Sequence, residues 1–208
     1  RLKTDYIDVF FIHGLMIKDY AHAMNHLVPV LIRAKEEGKI RFIGVTEAFH
    51  SDPGHDMLIK AVQEEPWDVV MVGFNILNQA ARDRVFAHTI KRNIGTLIMF
   101  AVRRAFSEPA RLAEIMADLQ KREKLTGPSL DSEDPLGFLG KTGGARSVQD
   151  AAYRFCRHEP GAHVVLSGTG DPQHLEANAA SINRPEIHFR EAFKLRAAFA
   201  GVDDVSGQ

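Results

Sequence analysis

The sequence predicts an α/β protein built on a parallel sheet. Two observations carry that expectation. Apolar, strand-like runs alternate with helical stretches five times along the 208 residues. Several of those runs are apolar on both faces, as strands are when helices cover one side and a core fills the other. A doubly wound sheet and a (β/α)8 barrel both meet this description. Composition is ordinary for a globular chain, with 45% hydrophobic and 25% charged residues and a net charge of -1, so nothing draws it generally toward nucleic acid or a membrane surface. No apolar run approaches the ~20 residues that span a bilayer. Cys156 is the single cysteine, which excludes an intramolecular disulfide and fits a reducing, cytoplasmic setting.

The elements follow in order. The opening "RLKTDYIDVFF" has no signal-peptide core and enters a strand, about Tyr6 to Ile12, almost at once, which implies further sequence upstream. Lys18 to Glu37 reads as a helix with apolar residues at Ala23, Leu27, Val30 and Leu31. "GKIRFIGV" supplies a strand at Ile40 to Val45. In "SDPGHDMLIKAVQEE", Asp52 reads as an N-cap with Pro53 at the first helical position. "WDVVMVGF" is the third strand, Gln79 to Arg92 the third helix and "IGTLIMF" the fourth strand. A helix at about Glu108 to Lys124 precedes a Gly-, Pro-, Ser- and Asp-rich loop from Leu125 to Gly144. Val148 to Arg157 is helical, "HVVLSG" is the fifth strand, "DPQHLEANAAS" repeats the Asp-Pro helix opening, and a last helix covers about Glu186 to Phe199.

In either parallel architecture, chemistry gathers beyond the carboxyl ends of the strands. Those ends read "HGL" at His13, "TEAFHSD" from Thr46, "NILN" from Asn75, "AVRRAFS" from Ala101 and "SGTGDP" from Ser167. By itself, a strand that stops on His13 is explained more readily by an imidazole with a structural hydrogen bond than by one that meets a substrate. "SGTGDP" sets Gly168 and Gly170 between a strand and a helix start, where free N–H groups and the helix dipole favour a phosphate. Asp171 is also a natural cap, and its charge opposes a phosphate there. Arg103 and Arg104, one strand earlier, supply guanidinium groups. His50, Asp52, His55 and Glu47 do not match a ligand spacing on one helical face, so no metal site is expected. No serine lies in a nucleophile elbow, and Cys156 falls within a helix.

"LKTDYIDVFFIHG", "GKIRFIGVTEAF", "WDVVMVGFNILNQ" and "HVVLSGTGDPQHLEANAAS", in this order, resemble the aldo-keto reductases. The resemblance covers nearly the whole chain and corresponds to the family's last five strand–helix units. It implies a single domain over residues 1–208, a partial (β/α)8 TIM barrel with the first three units absent. It also implies NAD(P)H-dependent reduction of aldehydes or ketones, with NADP or NAD lying across the strand ends and a small carbonyl compound as the partner. No nucleic-acid or membrane partner is implied, and the oligomeric state is left open. In the family a tyrosine protonates the carbonyl oxygen, a lysine paired with an aspartate tunes the tyrosine, and a histidine orients the carbonyl. His13 takes the histidine's place; the other three would lie upstream. Tyr6, Tyr20 and Tyr153 are not at a strand's carboxyl end, Tyr6 being ~20 Å from His13 at 3.3 Å per residue.

The cofactor residues depart from the family pattern in part. Thr46, Glu47 and Met71 stand where Ser, Asn and Gln usually hold the carboxamide; Thr46 keeps a hydroxyl, whereas Glu47 cannot donate as an amide does and Met71 barely hydrogen-bonds. Phe100 occupies the place of the aromatic that stacks on the nicotinamide. Gly168 and His174 replace basic residues that grip a 2′-phosphate, which implies little preference for NADP. Thr169 and Gly170 complete that turn, and Asn178 matches an adenine-contacting Asn, with Ala177 in place of the acid before it. The alternative is a nucleotide-binding or regulatory relative with weakened turnover, or a non-functional fragment. Five barrel strands alone would leave two open edges and an uncovered core.

Overall fold

The computed structural model describes residues 3–142 and 144–208. Five parallel strands, β1 (Ile7–Leu15), β2 (Ile40–Glu47), β3 (Val69–Gly73), β4 (Gly95–Met99) and β5 (Val164–Val165), pair in sequence order. The expected alternation and strand order therefore hold. No described helix is long and apolar enough to cross a membrane.

Two faces of the sheet differ in cover. Val45, Val70, Thr96 and Ile98 are buried, and their register partners turn the same way, as side chains do on adjacent parallel strands. Against that side pack Tyr20, Met57, Leu58, Phe86 and Leu119, all within one core cluster. The alternate positions Val69, Met71, Leu97 and Met99 are only half-buried. At the β1 edge, Phe10 and Phe42 are 41% and 42% exposed.

Several boundaries differ from the sequence expectations, each for a local reason. β1 does not stop at His13 but continues to Leu15, with its register against β2 shifted between Ile12 and Leu15. Gly14, at φ 61, supplies the left-handed residue that this bulge uses. The expected helix from Lys18 is broken into a 3-10 turn (Ile17–Asp19), the short α1 (Tyr20–His22), a π turn (Ala23–Leu27) and α2 (Val28–Glu36). Pro29 explains the break: it cannot bond back to Asn25, and its ring crowds that carbonyl.

The Asp52 expectation needs a related correction. α3 spans Asp56–Ala61, so Pro53 is not its first residue. Asp52 still caps it from a distance, its carboxylate accepting from the Asp56 and Met57 N–H groups at 2.9 and 3.0 Å. The intervening turn sets His55 at φ 66 and directs it inward.

The third helix is a π turn (Arg82–Phe86) running into α4 (Ala87–Arg92), which Asn93 ends in the left-handed region. α5 (Arg104–Ser107) and α6 (Pro109–Lys121) follow β4. The expected loop from Leu125 to Gly144 carries a short α7 (Phe138–Lys141), and its Gly143 lies outside the described residues. α8 (Val148–Arg157) has the expected bounds and is capped by Ser147. β5 is shorter than "HVVLSG" suggested because side chains replace part of the ladder: the Thr96 N–H donates to His163 Nδ1 at 3.1 Å, and the His163 N–H to Thr96 Oγ1 at 3.2 Å. α9 (Pro172–Ile182) opens on Asp171 and Pro172 as expected, and α10 (Phe189–Ala198) closes the helical layer.

Candidate active site

The bulge in β1 brings His13 to the end of β2. The Gly14 N–H donates to Thr46 Oγ1 at 2.6 Å, and His13 Nδ1 lies 3.1 Å from the same oxygen. Thr46 is buried, whereas the His13 ring is exposed. The threonine has one hydroxyl proton; when it donates this to His13 Nδ1, the neutral imidazole carries its own proton on Nε2 and has that N–H free to donate.

Glu47 turns the other way. Both carboxylate oxygens lie 2.9–3.0 Å from His55 Nδ1, and Oε1 accepts the Gly73 N–H at 2.7 Å. Both side chains are buried, and His55 Nε2 has no hydrogen-bond partner among the described residues. Burial pushes the Glu47 carboxyl above its ordinary range, while His55 and the Gly73 N–H draw it back less strongly. Met71 shares register with Thr46 and is half-buried on the same face.

Phe100 follows β4 at φ 66. Its ring meets Phe49 edge-on at 5.3 Å, and the Arg103 guanidinium lies 4.2 Å from its centroid. Arg103 also donates through Nε to the Gln208 side chain at 2.8 Å. The chain's last residues are held here by Asn75 and Asn78, whose amides donate to the Ser206 and Val205 carbonyls at 3.1 and 2.9 Å. Arg104 points elsewhere, in an exposed bidentate pair with Glu108.

Across the sheet, Gly168, Thr169, His174 and Asn178 line a single cleft of about 570 Å³ with Tyr153 and Ser181. Asn178 Nδ2 donates to Ser167 Oγ at 3.0 Å, and the Tyr153 hydroxyl lies 3.1 Å from the same atom. A side chain added at Gly168 or Gly170 would meet only open space, so the backbone of this turn is free to be approached. Asp171 caps α9, accepting from the Gln173 and His174 N–H groups at 2.8 and 3.4 Å. Among the described residues, no group of three or more His, Cys, Asp or Glu side chains is placed to hold a metal ion.

A family model described as "Aldo/keto reductase family" matches residues 1–194. The chain belongs to the aldo/keto reductase family. It is 26% identical over 189 residues to the aldo-keto reductase YhdN of Bacillus subtilis (strain 168), a match covering 85% of this chain and 54% of that protein. A shorter match to the L-galactose dehydrogenase of Arabidopsis thaliana is 37% identical over 46 residues, 22% of this chain and 14% of that protein. The fold is similar to the holo form of aldo-keto reductase AKR11C1 from Bacillus halodurans, with TM-score 0.65 and 17% identity over 98% of this chain and 64% of that one. It is also similar to an aldo/keto reductase from Klebsiella pneumoniae in complex with NADP and acetate, with TM-score 0.62 and 16% identity over 94% and 59% of the two chains. The chain thus spans less than two thirds of either structure and about half of the Bacillus subtilis protein.

Within this aldo/keto reductase chain, the place of His55 is what sequence reasoning does not anticipate: it considers that residue for a metal alone, although "PGHD" carries the turn residues that set it inward. Ser167 marks a strand end in the sequence and Tyr153 is set aside there as a catalytic tyrosine; the structure brings their hydroxyls within 3.1 Å of each other. The contacts between Arg103 and Gln208 join residues too far apart in the chain for any local pattern to reveal.

Proposed function

We propose that residues 1–208 form one domain comprising the last five strand–helix units of an aldo-keto reductase barrel, which reduces aldehydes or ketones to alcohols with NADH or NADPH. The observation that carries the reading is the His13–Thr46 pair at 3.1 Å, set at the carboxyl end of the first two strands. The half-covered sheet face and the open β1 edge support a partial barrel, since three further units would cover both.

A dinucleotide would meet better-suited residues at its phosphate and adenine end than at its nicotinamide end. Gly168, Thr169 and Gly170 offer an open backbone turn, and His174 and Asn178 line the cleft beside it. Thr46, Met71 and Phe100 would face the nicotinamide end. Arg103 would serve the phosphates by exchanging its contact with Gln208, and Arg104 by leaving Glu108. The dinucleotide, when bound, supplies the hydride. His13 donates its Nε2–H to the carbonyl oxygen and steadies the negative charge that develops there. Thr46 keeps that tautomer in place. The proton for the product oxygen comes from the tyrosine expected upstream, assisted by its lysine and aspartate.

Glu47 favours a second reading. Its carboxylate is committed to His55 and Gly73, so the carboxamide contact expected of it is replaced by an internal one. A relative that binds nucleotide with reduced turnover accounts for that. Titration of the complete protein with NADH and NADPH, followed by dinucleotide oxidation with a panel of aromatic aldehydes, separates the two. Binding with turnover supports the enzyme; binding without turnover supports the second reading; no binding removes both.

A further inference from the structure

We propose that Glu47 and His55 act as a buried positioning pair, holding Phe49 and through it the Phe100 ring in the attitude that receives the nicotinamide. This inference rests on the dinucleotide reading above and assigns a role to two residues that the reaction does not otherwise use.

Four consecutive contacts link the pair to the platform. Glu47 Oε1 takes the Gly73 N–H at 2.7 Å, which ties the last residue of β2 to the last residue of β3 beyond the end of their ladder. The carboxylate holds His55 Nδ1 at 2.9–3.0 Å. The His55 ring then stacks on Phe49, centroids 5.3 Å apart and planes within 13°. Phe49 meets Phe100 edge-on at 5.3 Å and 82°. Phe49 lies directly over Gly73, where a Cβ would overlap its ring. The platform aromatic therefore leans on a ring whose own place is set from both sides.

Stability alone does not account for this arrangement. Burying a carboxylate against an imidazole carries a desolvation penalty, and apolar residues of similar volume commonly serve a core as well. His55 also adopts a left-handed backbone, rare for a residue with a side chain, and its Nε2 remains unpartnered. What the pair supplies, and an apolar pair does not, is direction: a fixed ring plane under Phe49.

The test compares two ligands on the complete protein, NADH and ADP-ribose, the second lacking the nicotinamide. Calorimetric titration is made on the wild type and on Glu47→Gln, Glu47→Leu and His55→Gln. Glu47→Gln keeps an oxygen for the Gly73 N–H and a bond to His55, and should bind both ligands as the wild type does. His55→Gln keeps a partner for the carboxylate, and therefore the fold, but loses the stacked ring. It and Glu47→Leu should weaken NADH about tenfold, as expected when an aromatic support is lost, with ADP-ribose unchanged. Equal losses for both ligands, or no loss of NADH in His55→Gln, would overturn the proposal. A wild type that binds ADP-ribose but not NADH would also overturn it. A wild type that binds neither removes the dinucleotide reading, and the proposal with it.

Discussion

Thr46 Oγ1 accepts the Gly14 N–H at 2.6 Å and sits 3.1 Å from His13 Nδ1. One hydroxyl thus pins the β1 bulge and meets the neighbouring imidazole at Nδ1, where donation from the threonine favours a proton on Nε2. The neutral ring should be in the Nε2–H form, and long-range ¹⁵N–¹H NMR of the histidines would read this directly. Thr46→Val should mix the two tautomers and Thr46→Ser should restore the single one. An Nδ1–H tautomer in the wild type contradicts this account of the pair.

Gly73 has no room for a side chain. Gly73→Ala would drive a methyl into the Phe49 ring, and overpacking of this kind costs about 1–3 kcal/mol. Urea unfolding should show that loss as a lower midpoint at unchanged slope. Unaltered stability would mean that Phe49 is free to move aside.

Tyr20 is buried beneath the helical layer, its hydroxyl donating to Glu64 at 3.0 Å and accepting from the Trp67 N–H at 3.2 Å. Burial is the main cause that lifts its phenol from the ordinary 10.0 to about 12. A raised phenol favours the protonated form in the folded state, so its contribution is fully present below pH 10 and is lost as pH rises through about 12. Tyrosinate absorbance should therefore show the Tyr20 phenol, identified by its loss in Tyr20→Phe, ionising well above 10.0 and in step with alkaline unfolding. Ionisation of that phenol near 10.0 would contradict the buried geometry.

Arg103 and Arg104 are the cations proposed here for a dinucleotide's phosphates, and each has a partner in this structure. Replacing both with alanine in the complete protein should weaken NADH binding by about 1–3 kcal/mol, the loss of charge-assisted contacts offset in part by those partners. Calorimetry reads this directly, and unchanged affinity removes the two arginines from the site. With Gly168 and His174 standing where the family resemblance implies strong cations, NADH and NADPH should bind comparably; a large preference for NADPH would contradict the role proposed for His174.

Periodicity made the order of strands and helices legible, and two Asp-Pro pairs marked helix openings, because these signals are local. At "DPQH" the cap and helix start coincide as expected; at "DPGH" the added glycine lets the chain turn once more before α3 begins. His13 was legible as a candidate since it ends an apolar run, but the bulge that carries it needed Gly14 and a partner on another strand. Sequence position alone gives Glu47 a place facing the cofactor; in the structure its carboxylate is held by His55, eight residues on, and by the Gly73 backbone. The Arg103–Gln208 contact spans half the chain and leaves no trace in the pattern of residues.

In the proposed reaction His13 orients the carbonyl group that is reduced. The measurement is steady-state oxidation of NADH or NADPH by the complete protein with aromatic aldehydes, compared between wild type and His13→Ala, with dinucleotide affinity determined in parallel. The account predicts that turnover falls by ~10²-fold or more while dinucleotide affinity stays nearly intact, the signature of an interaction made with the reacting carbonyl and not with the cofactor. Full turnover in His13→Ala would contradict it.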